Sequence, residues 1–131
     1  MNNDFIEALA EFLNALGLPL QARLDYLSEH EDLVIYSLPG GQVISEDMAG
    51  TQTVRLPFEI VVKSKDQQKA NTILWAINYA LSAMNVQIDS LNGSYEFLNL
   101  DVSKPFINDK DEQGFYIYML DITATIEIER N

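Results

Sequence analysis

TVRLPFEIVVK, Thr53 to Lys63, decides the fold. Val54, Leu56, Phe58, Ile60 and Val62 alternate with Thr53, Arg55, Pro57, Glu59 and Lys63. Period-two alternation of this length defines a strand with one buried face. Pro57 has no N–H to give to a ladder, which predicts an edge position or a bulge there. Immediately after it, Ser64-Lys65-Asp66-Gln67 resembles a capping box, and the spacing predicts a helix over about Lys65 to Met84. On that helix Ala70, Ile73, Leu74, Ile77, Ala80, Leu81 and Met84 fall in one arc at 100° per residue. A strand with one apolar face followed by a helix with one apolar stripe means a helix packed on a sheet.

Upstream, Phe5, Leu9, Phe12, Leu13 and Leu16 recur at helical spacing, predicting a helix over Asn3 to Leu16. Asn3 or Asp4 is its expected cap, and Gly17 and Pro19 stop it. Ala22, Leu24 and Tyr26 alternate only weakly, and Ser28 to Asp32 reads as a polar, acidic turn. Leu33 to Leu38 is a short strand ended by Pro39-Gly40-Gly41, a tight-turn triplet. Gln42 to Ser45 is expected to pair back, with a loop from Glu46 to Thr51. Downstream, Ser94 to Val102 and Phe115 to Glu129 alternate as strands, and Ser103 to Gly114 reads as a long, mobile loop. The order is α-β-β-β-α-β-β. This is one α+β domain over residues 1–131, a mainly antiparallel sheet of about five strands packed by two helices.

Composition bounds the chemistry. With 131 residues and 47% hydrophobic side chains, the chain can bury an ordinary core without staples. Cysteine is absent, which removes disulfides, thiol catalysis and thiolate metal sites. Twenty acidic residues against eight basic ones give a net charge of −12. That surface repels phosphate backbones and anionic lipid. It either keeps the protein soluble or forms a wall that DNA passes without sticking. No signal peptide or bilayer-spanning run is expected from the N-terminus or the hydropathy pattern.

The chemistry-bearing patterns are few. His30, the lone histidine, sits in Ser28-Glu29-His30-Glu31-Asp32 and has no second imidazole to complete a metal site, so a solvated turn is expected. Asp109-Lys110-Asp111-Glu112-Gln113-Gly114 opens like a calcium loop, but Leu120 stands where the closing bidentate glutamate belongs. Pro39-Gly40-Gly41 lacks the Lys-Ser/Thr and the helix of a phosphate cradle. No catalytic residues, metal or cofactor are expected.

A surface signal remains. Trp75 and Tyr79 lie one turn apart on the second helix, about 150° from its core arc by the helical period. They are either interface anchors or the seed of a second small core. Lys104, Asp109, Lys110, Asp111 and Glu112, in the expected loop, are the other interface candidates, to be ordered by a neighbouring subunit.

The stretch Leu33-Val34-Ile35-Tyr36-Ser37-Leu38-Pro39-Gly40-Gly41, with Gly50, Val54-Arg55-Leu56-Pro57-Phe58 and Lys63-Ser64-Lys65-Asp66, resembles the minor capsid or tail-terminator proteins of long-tailed phages and prophages of Gram-positive bacteria. Asn92-Gly93-Ser94-Tyr95-Glu96-Phe97 ahead of Pro105, and the tyrosine-rich last strand, fit too. The resemblance implies a fold like that of the lambda tail terminator and a structural role without catalysis. It implies a hexameric ring that caps the tail tube, stops its growth and meets the head connector. The protein would be made in the host cytoplasm and carried in the tail or neck of the virion. Partners would be further copies of itself, the tube protein and the connector, with DNA passing unbound and no membrane involved. The alternatives are another neck or head-completion adaptor and, in a different class, an acidic DNA mimic.

Overall fold

The structure, a computed structural model, describes residues 3–24, 30–103, 105–110 and 114–129. Its elements are α1 (Phe5–Asn14), β1 (Ala22–Arg23), β2 (Asp32–Ser37), β3 (Gln42–Glu46), β4 (Thr51–Ser64), α2 (Gln67–Leu81), β5 (Glu96–Val102), β6 (Phe106–Lys110) and β7 (Tyr116–Glu129). The seven strands form one sheet in the order β1-β2-β4-β7-β5, with β3 also on β4 and β6 also on β7. Every pairing is antiparallel except the two-residue β1 beside β2.

The two long strands β4 and β7 run the whole height of the sheet, in register from Thr51 opposite Glu129 to Ser64 opposite Tyr116. Each carries two short strands along its other edge. Beside β4, β2 is followed by β3 after a break at Leu38–Gly41, and this break explains Pro57. β4 is a central strand, and its ladder with β7 runs through Pro57 without a register shift, so neither the expected edge nor a bulge in β4 is found. The Leu38 N–H donates to the Pro57 carbonyl at 3.0 Å, and the neighbouring strand then departs. N and O of one strand residue point the same way, so the missing proline N–H lies on the β2 side, where that strand departs, and the β4–β7 ladder loses no donor. Gly41 passes so close to β4 that a Cβ on it would meet Leu56 Cδ2 at 3.1 Å, and Gly40 has φ +107°. A glycine pair is what this crossing needs.

The helices cover one face. Val54, Phe58, Ile60 and Val62 of β4 and Tyr118, Leu120, Ile122, Ala124, Ile126 and Ile128 of β7 are buried beneath them, as the alternation requires. From α2 come Ala70, Ile73, Leu74, Ile77 and Leu81, and from α1 Phe5, Leu9 and Leu13. Phe5 is the hub: its ring stacks on Phe58 at 5.2 Å, tilts against Tyr95 at 5.6 Å and lies parallel to Phe97 at 6.4 Å. Removing such a buried ring costs about 3–5 kcal/mol.

Three local expectations need correction. The α2 periodicity extends to Met84, but the helix ends at Leu81 and Met84 is fully exposed. Ser82 leaves helical geometry and the chain turns to bury Ile88 instead. Asp32 does not belong to a solvated turn: it starts β2, is buried, and is gripped by the Arg23 fork through Nε at 2.9 Å and Nη2. The segment Ser103–Gly114 is not one loop, because Phe106–Lys110 pairs with β7 as β6. Asn and Asp are poor strand formers, and β6 has a bulge between Ile107 and Asp109, so no alternation advertises it. The exposed edge of β7 imposes the strand.

Candidate assembly surface

α2 starts two residues later than the sequence expects, at Gln67, and Ser64 is the last residue of β4 and not the cap. Asp66 is its cap, accepting the Lys69 N–H at 3.1 Å, while Ser64 Oγ accepts the Asp66 N–H at 3.0 Å. With that phase fixed, Trp75 and Tyr79 come out on the side away from the sheet. Trp75 is 47% exposed and Tyr79 84%, and neither joins the buried core. Asn78 lies between them in sequence, and its Nδ2 donates to the Ser103 carbonyl at 2.7 Å. That bond brings the β5–β6 connection against α2.

The other interface candidates divide. Lys104, Asp111 and Glu112 lie outside the described residues. Asp109 is placed by its backbone alone, opposite Ile117 in the β6–β7 ladder. Lys110 Nζ sits 5.2 Å from the centre of the Tyr116 ring, a cation–π distance. Asp109 and Lys110 are thus strand residues, not the opening of an ion-binding loop. The triplet Pro39-Gly40-Gly41 serves the β2–β3 break. His30 is exposed beside Glu31, whose carboxylate is engaged with Lys69 Nζ and Ser64 Oγ, each at 2.6 Å. The Lys69 hydrogen bond is the main reason that the Glu31 carboxyl is held below its usual range, with Ser64 adding to it.

Two features went unseen in the sequence. The first is a hydrogen-bonded knot at Asp4. Its Oδ1 accepts from Ser90 Oγ at 2.6 Å and Ser94 Oγ at 3.0 Å, and its Oδ2 accepts the N–H groups of Leu91 at 2.7 Å and Asn92 at 3.0 Å. Asp4 is therefore not a side-chain cap of α1: Asn3 takes the Phe5 N–H instead, at 3.1 Å. Burial by itself raises the Asp4 carboxyl, but the four donors outweigh it and hold the group below its ordinary value. Beside the knot, Tyr95 donates its hydroxyl to the Ile88 carbonyl at 2.7 Å.

The second lies on the sheet face that no helix covers. Cross-strand register puts Glu59 directly opposite Asp121, on the same side as Asp32, Asp101, Glu127 and Glu129. Arg23, Arg55 and Lys63 are the cations on that side among the described strand residues, and Arg23 is taken by Asp32. Arg55 reaches Asp101 at 3.5 Å, and Lys63 Nζ stands 4.7 Å from the centre of the Phe115 ring. Glu59 is left with another acid for a neighbour. Burial, then the hydrogen bond and the charge of Asp121, push its carboxyl up to about 7. Asp121 Oδ1 is buried and has no hydrogen-bond partner among the described residues.

The described residues include no group of three or more His, Cys, Asp or Glu side chains able to hold a metal ion, and no helix long and apolar enough to cross a membrane. A model of the bacteriophage tail terminator protein family matches residues 12–128. The chain belongs to that family, and so is a structural component of a phage tail. Among curated proteins no match is found. One solved structure covers 97% of this chain and 92% of its own at 18% identity, with a TM-score of 0.49.

Proposed function

We propose that the protein closes the phage tail by forming a ring on the end of the tail tube, halting its polymerisation and offering the opposite face to the head connector. The observation that carries this reading is the family match over nearly the whole chain. Two features of the molecule support it. One side of α2 offers Trp75 and Tyr79 as anchors for contact between proteins. The face of the sheet opposite the helices is rich in carboxylates, with Asp101 and Glu129 exposed on it, as suits the wall of a channel. DNA slides past such a wall without the phosphate contacts that would retard it. Six copies are the expected number, with the acidic faces turned inward.

The test is electron microscopy of the protein mixed with polymerised tail tubes. Density confined to tube ends, with no further elongation on adding tube subunits, is the expected result. Binding along the tube walls or not at all overturns the reading. Trp75→Ala, at a half-exposed position, is expected to weaken association by about 2 kcal/mol while leaving the melting temperature of the isolated subunit nearly unchanged.

A further inference from the structure

We propose that self-association is head-to-tail, with the β3–β4 hairpin of one copy seated on the uncharged outer side of α2 in the next. This rests on the self-association proposed above and names the two surfaces that meet. The chain carries 28 charged side chains among 131 residues, yet none occurs in the 19 residues from Ala70 to Ile88. Nor does any occur in the 13 residues from Leu33 to Ser45. These two neutral stretches bear much of the exposed apolar surface: Trp75, Tyr79 and Met84 in the first, Val43 and Ile44 in the second. Met48, in the turn just beyond, is fully exposed. The acids flanking that turn are occupied locally. Asp47 Oδ1 accepts the N–H groups of Ala49 at 2.9 Å and Thr51 at 3.0 Å, and Glu46 accepts Gln52 Nε2 at 2.8 Å.

The missing charge points to the occupant. A basic partner would be recognised by acids, of which this surface has many. A partner of the same sign is admitted only where charge is absent, because like charges buried together cost several kcal/mol. The molecule of the same sign that a ring brings alongside is a second copy, at −12. The two patches also differ in kind and place. β3 runs along the β4 edge of the sheet, whereas α2 packs on β4, β5 and β7 and is bonded to the β5–β6 connection. Unlike patches toward opposite edges make a heterologous contact, which closes into a ring when the rotation permits. Strand addition along β3, β5 or β6 is not the means. β3, β5 and β6 each carry a bulge, at Val43/Ser45, Phe97/Asn99 and Ile107/Asp109, and bulged edges resist further pairing. Side chains must make the contact.

The absence of cysteine makes the test direct. Met48→Cys and Tyr79→Cys replace two largely exposed side chains, so both variants are expected to keep the parent circular dichroism spectrum. The two full-length variants are mixed, with and without tail tubes, and treated with a short bismaleimide. Covalent dimer is expected at least fivefold more in the mixture than with either variant alone, and the chain bearing both substitutions should give a ladder. Tyr79→Cys coupling to itself as well as to its partner would mean isologous helix pairing and overturn the proposal. So would association seen by sedimentation velocity without the mixed cross-link, or coupling of Tyr79→Cys to the tube protein; either leaves the ring itself standing. A chain that remains monomeric both free and on tubes overturns the ring and this contact together.

Discussion

Asp4 and the Glu59–Asp121 pair are carboxylates withdrawn from water by the same fold, and they are treated in opposite ways. Asp4 receives four donors, two hydroxyls and two backbone N–H groups, and ties the start of α1 to the Ser90–Ser94 turn. Glu59 and Asp121 receive mainly each other. They face across the β4–β7 ladder, the longest in the sheet, where like charges directly opposite destabilise. The difference shows which carboxylate was placed for folding. A buried anion stabilises when donors converge on it and costs when they do not. The knot holds the monomer together, while the pair is a cost the monomer carries on the face proposed to line the channel.

Breaking the knot has the largest expected effect. Asp4→Ala removes four charge-assisted bonds and strands the Leu91 and Asn92 N–H groups, for a loss of about 2–4 kcal/mol in urea unfolding. A loss below about 1 kcal/mol would mean that water replaces the carboxylate freely. The sign with pH follows from the depressed carboxyl. Its contribution is complete above the unfolded value near 3.8 and disappears as pH falls through the folded one. The parent should therefore lose stability in strong acid more steeply than Asp4→Ala.

Glu59→Gln is the reverse experiment. The folded carboxyl titrates at about 7 against 4.5 in the unfolded chain, so between those values the folded state holds a proton that the unfolded state has released. Stability then falls as pH rises from about 4.5 to 7, and the penalty is constant above. Discounted for its partial exposure, the cost at pH 8 is on the order of 1–2 kcal/mol. Glu59→Gln should raise the melting temperature at pH 8, leave it nearly unchanged at pH 4.5, and flatten the slope between. A variant no more stable than the parent at pH 8 would show that the pair is already relieved in solution.

Periodicity made the covered face legible and left both carboxylate sites hidden, for the same physical reason. The apolar alternation of β4 and β7 and the 3–4 spacing of α1 and α2 are local patterns, and each produced the expected element within a few residues. The exposure of Trp75 and Tyr79 follows from the same arithmetic once the Asp66 cap sets the phase of α2. Asp4, in contrast, meets Ser90 and Ser94 only through the tertiary fold, and Glu59 meets Asp121 only once a register is chosen. A one-residue slip would separate them onto opposite faces. β1 is too short for any period, and β6, with Asn108, Asp109 and a bulge, is a strand only because β7 lies open beside it. One cue was present: Ser90, Asn92 and Ser94 in a row are side chains suited to gathering around an acceptor.

Glu31 lies between the two extremes and should show the smallest effect. It has a cation, Lys69 Nζ at 2.6 Å, and a hydroxyl, Ser64 Oγ at 2.6 Å, so it is satisfied as Asp4 is. Its pairing is open to solvent, however: about a third of each side chain is exposed, 33% for Glu31 and 32% for Lys69. Water screens such a pair, and holding two long side chains in one geometry takes back part of the attraction. Lys69→Met keeps most of the aliphatic stem and removes the charge, with an expected loss of about 0.5 kcal/mol that shrinks further in 1 M salt. Because the lysine depresses the Glu31 carboxyl, that small contribution is present at neutral pH and disappears in acid, the same sign as for Asp4. Urea titrations at low and high salt, run beside Asp4→Ala, decide the ranking. If Lys69→Met cost as much as Asp4→Ala, the strength of these sites would follow from opposite charge instead of the number of converging donors, and the contrast between the Asp4 knot and the Glu59–Asp121 pair would need a different cause.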